Sequence, residues 1–338
     1  MPRLLPLALL CLLACTSTPA PPGTVPKCGP LDDTLRLNQI QVLGTHNSYH
    51  VARPDPLDPS LAYTHPTLDV QLATQGARHF ELDLHKAAGQ PFQVFHIPGI
   101  DPLSNCKQLQ DCLGTLRQWS DAHPCHQPLY VLFEPKDELD PDKLAGQWDA
   151  LEAELLAAFP RERIVTPDDV RAKHPTLRDM VQANDWPTLG ATRGKVLFVL
   201  MDKTVDDVAY GEDYRKGHPK YAGRLMFVFG EPSDPDIAFV KRDNPSDEAE
   251  VGGLVKAGYL VRGTAEGDVG PGLGGASDQA RRAHTLATVH LVTTDWPHGA
   301  PGPNGWEVAL PGGTPSRCHP LTAPVGCTAT GVEDLRGL

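Results

Sequence analysis

The sequence is poor in positive charge and lacks several short motifs that mark common hydrolase and nucleotide sites. Lys and Arg number 30 against 42 Asp and Glu, a formal net charge of −12. A surface of that sign does not neutralise a phosphate backbone, which argues against nucleic acid as a partner. It also weakens any case for general adhesion to anionic membranes. No C-x-x-C pair occurs, which counts against a zinc site. No G-x-S-x-G elbow occurs, which leaves a serine hydrolase unsupported. Residues 190–195 fall one position short of a P-loop and lack its Ser or Thr. Residues 270–275 fit G-x-G-x-x-G, but no predicted strand directly precedes them, so they read as a turn before a helix. No internal repeat is visible. The N-terminal apolar run, residues 4–13, is too short for a membrane span, which takes about 20 residues.

What is present is a chain of 338 residues, 40% of them hydrophobic, with 34 Pro and 31 Gly. That composition supports a real core with many turns. The length suits one large α/β barrel of about 250 residues with extensions. At the N-terminus, Arg3 precedes the apolar run, and Leu12-Leu13-Ala14-Cys15 reads as a bacterial lipobox in which Cys15 is acylated. A signal peptide cut after Ala20 is the alternative, and either reading predicts export, lipid-anchored at the cell envelope or secreted. Residues 16–26, rich in Pro and Thr, read as a tether. Six further cysteines (Cys28, Cys106, Cys112, Cys125, Cys318 and Cys327) suggest disulfides in an exported protein. Spacing makes Cys318 with Cys327 a plausible staple and offers a second pair among Cys106, Cys112 and Cys125. The division expected is a leader and tether over 1–37, a catalytic barrel over 38–300 and a loop-rich, disulfide-bearing extension over 301–338.

Strand patterns are predicted at residues 40–43, 78–84, 92–96, 129–133, 196–201, 225–229, 258–261 and 288–292, with helices at 68–77, 109–122, 144–159 and 276–287. Strands alternating with helices predict a parallel sheet, and this number favours closure into a TIM-type (β/α) barrel, regular or distorted. Polar residues recur at the strand ends: His46 and Asn47, Glu81 and Asp83, His96, then Glu134. In a parallel barrel those ends converge on one face. The i, i+2 spacing of Glu81 and Asp83 aims both carboxylates the same way. Two such acids need a balancing cation, and Asn47 and Glu134 complete an oxygen set suited to Ca2+. A network with Arg78, Arg193 or a lysine is the alternative balance. His46 and His96 at the same mouth suit an acid and a base, with His79 and His85 as competitors.

Gly44-Thr45-His46-Asn47-Ser48-Tyr49, Phe80-Glu81-Leu82-Asp83, Val94-Phe95-His96 and Leu132-Phe133-Glu134 together resemble the phosphoinositide phospholipase C barrel, in its bacterial calcium-dependent branch. The likeness runs from about residue 40 to residue 297. It implies that His46 assists attack by the inositol 2-hydroxyl and that His96 serves the departing diacylglycerol. It also implies that Asn47, Glu81, Asp83 and Glu134 hold Ca2+, and that the substrate is an inositol phospholipid at a membrane surface. Lys136 and Arg262 are candidates for substrate oxygens. Thr293-Thr294-Asp295-Trp296-Pro297 resembles the family's closing element. The family's Arg-Thr-Arg-Ala-Asp stands here as Arg262-Gly263-Thr264-Ala265-Glu266, without the second Arg. That departure keeps open a glycerophosphodiester phosphodiesterase and a non-catalytic lipid- or sugar-binding barrel.

Overall fold

A computed structural model of the chain describes residues 28–137, 143–144, 146–205, 208–243, 248–267 and 273–333. Cys15, the leader and most of the tether lie outside the described residues, as do residues 270–272 of the G-x-G-x-x-G stretch.

Eight parallel strands run around a barrel in chain order: β1 Ile40–Thr45, β2 His79–His85, β3 Leu129–Pro135, β4 Val196–Leu200, β5 Met226–Val228, β6 Phe239–Lys241, β7 Leu260–Thr264 and β8 Leu291–Thr294. β8 pairs back on β1 from Val42↔Leu291 to Thr45↔Thr294. The remaining gap, between β5 and β6, is crossed by a parallel bridge at Phe229↔Phe239, where Gly230 N–H donates to the Phe239 carbonyl at 3.1 Å. The ring is therefore nearly closed, with its thinnest seam there. Each other connection carries helix, as parallel crossovers require. β4 reads Val-Leu-Phe-Val-Leu and is buried throughout, the continuous apolar run of a strand covered on both faces.

Around the barrel, two strand positions depart from the sequence expectation. β6 carried no usable signal, being three residues long with no helix before it. Residues 92–96 form no barrel strand. Gln93–Val94 pairs antiparallel with the end of β2, and His96 sits on the loop beyond it.

The C-terminal segment is part of the barrel wall. Ser316–Cys318 pairs antiparallel with Ile40–Val42, so β1 pairs with β2 only at Gly44↔His79 and Thr45↔Phe80. There Gly44 has no substitute, because a Cβ would lie 2.1 Å from the His79 ring. Beneath this wedge, Arg78 is fully buried and Glu333 nearly so. Arg78 donates from Nε and a terminal nitrogen to Glu333, at 2.7–3.0 Å, and from its other terminal nitrogen to the carbonyls of Leu72 and Ala77. Disulfides join Cys28 to Cys125, Cys106 to Cys112 and Cys318 to Cys327, the last being the staple expected from spacing. None of the helices among the described residues is long and apolar enough to cross a membrane.

Removing one partner of a buried ion pair strands the other charge. Glu333→Ala is expected to cost about 3–5 kcal/mol, read as a lower urea midpoint at unchanged slope.

Candidate active site

The strand ends bring the polar residues of the sequence pattern together at one mouth. β1 ends at Thr45, and the chain turns through His46 and Asn47, the latter at φ 42°. That left-handed conformation suits Asn better than most side chains. The turn is fastened to β2: Ser48 N–H donates to the Glu81 carbonyl at 2.9 Å, and Glu81 N–H donates to Ser48 Oγ at 2.9 Å. Asn47 is buried between two tyrosines. Its amide donates to Tyr63 Oη at 3.3 Å, and its oxygen accepts from Tyr49 Oη at 3.2 Å.

On β2 and β3, Asp83 and Glu134 are register partners. One carboxylate oxygen each from Glu81, Asp83 and Glu134 lies within 4.8 Å of the others. Asp83 is fully buried, and neither of its oxygens has a well-formed hydrogen bond, although Lys136 Nζ lies 3.1 Å from Oδ2. Burial pushes the Asp83 carboxyl up to about 8. Lys136 opposes that rise, while Glu134 and Glu81 add to it. Glu134 is half-buried. Burial would raise its pKa, but Lys136, Lys241 and Lys203 outweigh burial and bring it to about 2. Under-bonded buried oxygens, three clustered carboxylates and a neighbouring amide make a donor set that fits a hard divalent cation such as Ca2+.

His46 is gripped from two sides. Its Nδ1 lies 2.9 Å from Asp295 Oδ1 and its Nε2 lies 3.7 Å from Glu81 Oε1. Burial would lower its pKa, but the two carboxylates outweigh it and raise the imidazole to about 9. Asp295 follows β8 directly, and its N–H donates to the buried carboxyl of Glu266, which also accepts from Thr294 Oγ1 at 2.8 Å. Burial and Asp295 push Glu266 up to about 8.

His96 has a carboxylate of its own. Its Nδ1 lies 2.8 Å from Asp101 Oδ2, an atom that also lies 2.8 Å from Nε2 of the buried His50. Burial lowers the His96 pKa, partly offset by Asp101, with Lys136 lowering it further. Sequence reading did not assign Asp101, His50 or the pairing of Asp295 with His46. Of these, only Asp295 lay within a segment singled out beforehand. The competing histidines are packed away. His79 faces the Val292 carbonyl at 3.0 Å and is held by burial near pKa 3. His85 stacks on Phe95 with centroids 3.8 Å apart, and its Nε2 faces the carbonyls of Phe95 and His96.

Lys136 and Arg262 both sit in the acidic cluster. Lys136 Nζ lies 2.9 Å from Glu134 Oε1, and burial of the amine is outweighed by Asp83 and Glu134, which hold its pKa above the ordinary range. Arg262 reaches Glu81 Oε2 at 2.6 Å and also pairs with Asp243. Arg78 and Arg193 lie elsewhere, paired with Glu333 and Asp32. The balance at the mouth is thus made chiefly by Lys136 and Arg262, with Lys203 3.7 Å from Glu134 Oε1.

A family profile described as "Phosphoinositide phospholipase C, Ca2+-dependent" matches residues 35–90 and 85–320. Among solved structures, the chain is similar to a Ca2+-dependent phosphatidylinositol-specific phospholipase C from Streptomyces antibioticus. The two share 22% identity over 78% of this chain and 95% of that one, at a TM-score of 0.57. It is also similar to a calcium-dependent phosphoinositol-specific phospholipase C from a Pseudomonas species, at 17% identity over 86% and 97% of the two chains and a TM-score of 0.60. The same Pseudomonas enzyme in complex with myo-inositol matches at 18% identity and a TM-score of 0.60, covering 86% of this chain and 97% of that one. These likenesses extend to the fold. No curated protein matches the sequence significantly.

Asp295→Asn removes one of the two charges that hold His46 near 9. The His46 pKa of the metal-free protein is expected to fall towards the ordinary value of about 6.5, read by NMR titration.

Proposed function

Because the chain belongs to the Ca2+-dependent phosphoinositide phospholipase C family, we propose that it cleaves phosphatidylinositol-type lipids to diacylglycerol and a cyclic inositol phosphate. The observation that carries this reading is a pair of imidazoles, each held at Nδ1 by a buried carboxylate, beside three clustered acids. Two histidines held in this way leave both Nε2 atoms available for proton transfer.

In this reading His46 Nε2 takes the proton of the inositol 2-hydroxyl as that oxygen attacks phosphorus. Asp295 fixes the ring and stabilises the imidazolium that forms. His96 Nε2 gives a proton to the departing diacylglycerol oxygen, so the P–O bond breaks without release of a free alkoxide. Asn47, Glu81, Asp83 and Glu134 would hold Ca2+, which would lower the hydroxyl pKa, offset charge growing on the phosphate oxygens and offset the charge of Glu81 beside His46. Lys136, at the edge of the acidic cluster, meets a non-bridging phosphate oxygen. Arg262 meets headgroup oxygens while keeping Glu81 in line. Glu266, a departure from the family pattern, is buried under Asp295 and supports it from behind. The disulfides fit an exported protein. We extend this to an envelope anchor through acylated Cys15, which would bring the mouth to a lipid surface.

Phosphatidylinositol is expected to be cleaved with Ca2+ present and left intact after chelation or in His46→Ala. Glycerophosphocholine assayed in parallel should remain uncut. Turnover undiminished in metal-stripped protein would remove calcium from the mechanism, and preferential cleavage of glycerophosphocholine would move the chain to the other phosphodiesterase class. With Asp83 at about 8 in the metal-free site, Ca2+ binding at pH 7 should release most of that carboxyl's proton, in addition to what His46 gives up as Glu81 is offset, and weaken as pH falls below 8. Calorimetry in buffers of different ionisation enthalpy measures that release.

A further inference from the structure

We propose that Asp101 and His50 form a buried brace that sets the ring orientation of His96: Asp101 holds its Nδ1, and His50 holds Asp101. The proposal rests on the acid role given to His96 above and assigns two positioning residues to it.

Asp101 is 1% exposed and His50 fully buried. One oxygen, Asp101 Oδ2, lies 2.8 Å from both His96 Nδ1 and His50 Nε2. The backbone of Asp101 is fixed by a tight loop in which Ile97 N–H donates to its carbonyl at 3.1 Å and its own N–H donates to that of Ile97 at 2.9 Å. His50 is locked independently. Its Nδ1–H donates to the Tyr63 carbonyl at 2.9 Å, so Nε2 donates to Asp101 with the ring carrying both hydrogens, and the ring stacks on Tyr63 with centroids 4.2 Å apart. Its N–H donates to the Asn47 carbonyl at 2.8 Å, and its carbonyl accepts from His65 N–H at 2.9 Å. The brace therefore ties the loop of His96 to the turn that carries His46 and Asn47. His85 already holds the backbone carbonyl of His96. The His96 ring is held by Asp101 at Nδ1 and meets the His50 ring edge-on, with centroids 6.4 Å apart. A ring donating from Nδ1 to a carboxylate presents Nε2 outward, the nitrogen needed for transfer to a leaving group.

The test uses Asp101→Asn and His50→Gln, alone and combined with His96→Ala, with melting temperatures recorded for each. Asp101→Asn is expected to lower kcat on phosphatidylinositol by about 100-fold with KM little changed. His50→Gln is expected to act in the same direction by less. Neither should cost anything further in His96→Ala. An inositol phosphate ester with a nitrophenyl leaving group, which departs without a proton, should lose less activity than the lipid. Full kcat in Asp101→Asn, or an undiminished loss in the His96→Ala background, would overturn the brace. A second readout needs no turnover. In 15N-histidine-labelled protein, His96 should carry its proton on Nδ1 and shift towards Nε2 in Asp101→Asn. An unchanged tautomer overturns the brace even if the enzyme is active, whereas a shifted tautomer in a protein that cleaves no lipid supports the brace and counts against the assigned activity.

Discussion

Three carboxylates crowded at the mouth of a barrel repel one another and lose hydration, and the rest of the site is arranged around that cost. Asp83 is the extreme case, fully buried and pushed up to about 8. Protonation, a lysine ammonium or a divalent ion can each offset the crowding, but they do so differently. Lys136 supplies one positive charge at the rim, and Arg262 supplies another that is tied to Glu81. A cation of higher charge with several oxygen ligands satisfies more of the lone pairs at once. The backbone arrangement also favours it. Strand alternation fixes Glu81 and Asp83 on one face, the register of β2 with β3 sets Glu134 beside Asp83, and the bonded turn at Ser48 fixes Asn47 against Glu81. Little reorganisation is left for binding to pay for.

The same field separates the two histidines. His46 faces two carboxylates and is raised, while His96 is lowered by burial and by Lys136 despite Asp101. In the metal-free site this favours a charged His46 and a neutral His96, the reverse of the roles proposed above, so the base role of His46 requires a cation that offsets Glu81. Each ring is steered at Nδ1 by a carboxylate from a different part of the chain, Asp295 after β8 and Asp101 in the loop beyond β2. The two imidazoles are thus oriented by different carboxylates, and His50 links the support of His96 to the turn that carries His46.

The sequence was most legible where periodicity and chemistry coincided. The alternation around Glu81 and Asp83 placed both acids correctly on β2, and Val-Leu-Phe-Val-Leu marked β4. The loop supports were not legible. His50 and Asp101 are 51 positions apart and meet only because two excursions fold over the same mouth. Their burial follows from loop packing, which has no period. The partners of Arg78 and Arg193 were equally hidden: an arginine beside a strand gives no sign that Glu333 or Asp32 will reach it. His96 was found as a residue type near a strand end, although the strand itself reduces to two residues lying outside the barrel.

The last of these hidden contacts bears on how the barrel is built. β1 pairs with β2 through its final residues only, because Ser316–Cys318 occupies the place beside its beginning. A sheet opened at that point would leave backbone donors of β1 unpaired inside the wall, a cost of the kind that structures avoid. The inserted strand meets that need, the Cys318–Cys327 disulfide ties off the segment, and Glu333 neutralises Arg78 at the closed end. A cut at residue 300 therefore separates two stretches of sequence without separating two structural units. Rigidity at the closed end has a use at the other. β1 carries His46 and Asn47 at its far tip, so holding its start on both sides limits how far those two side chains can drift from Glu81.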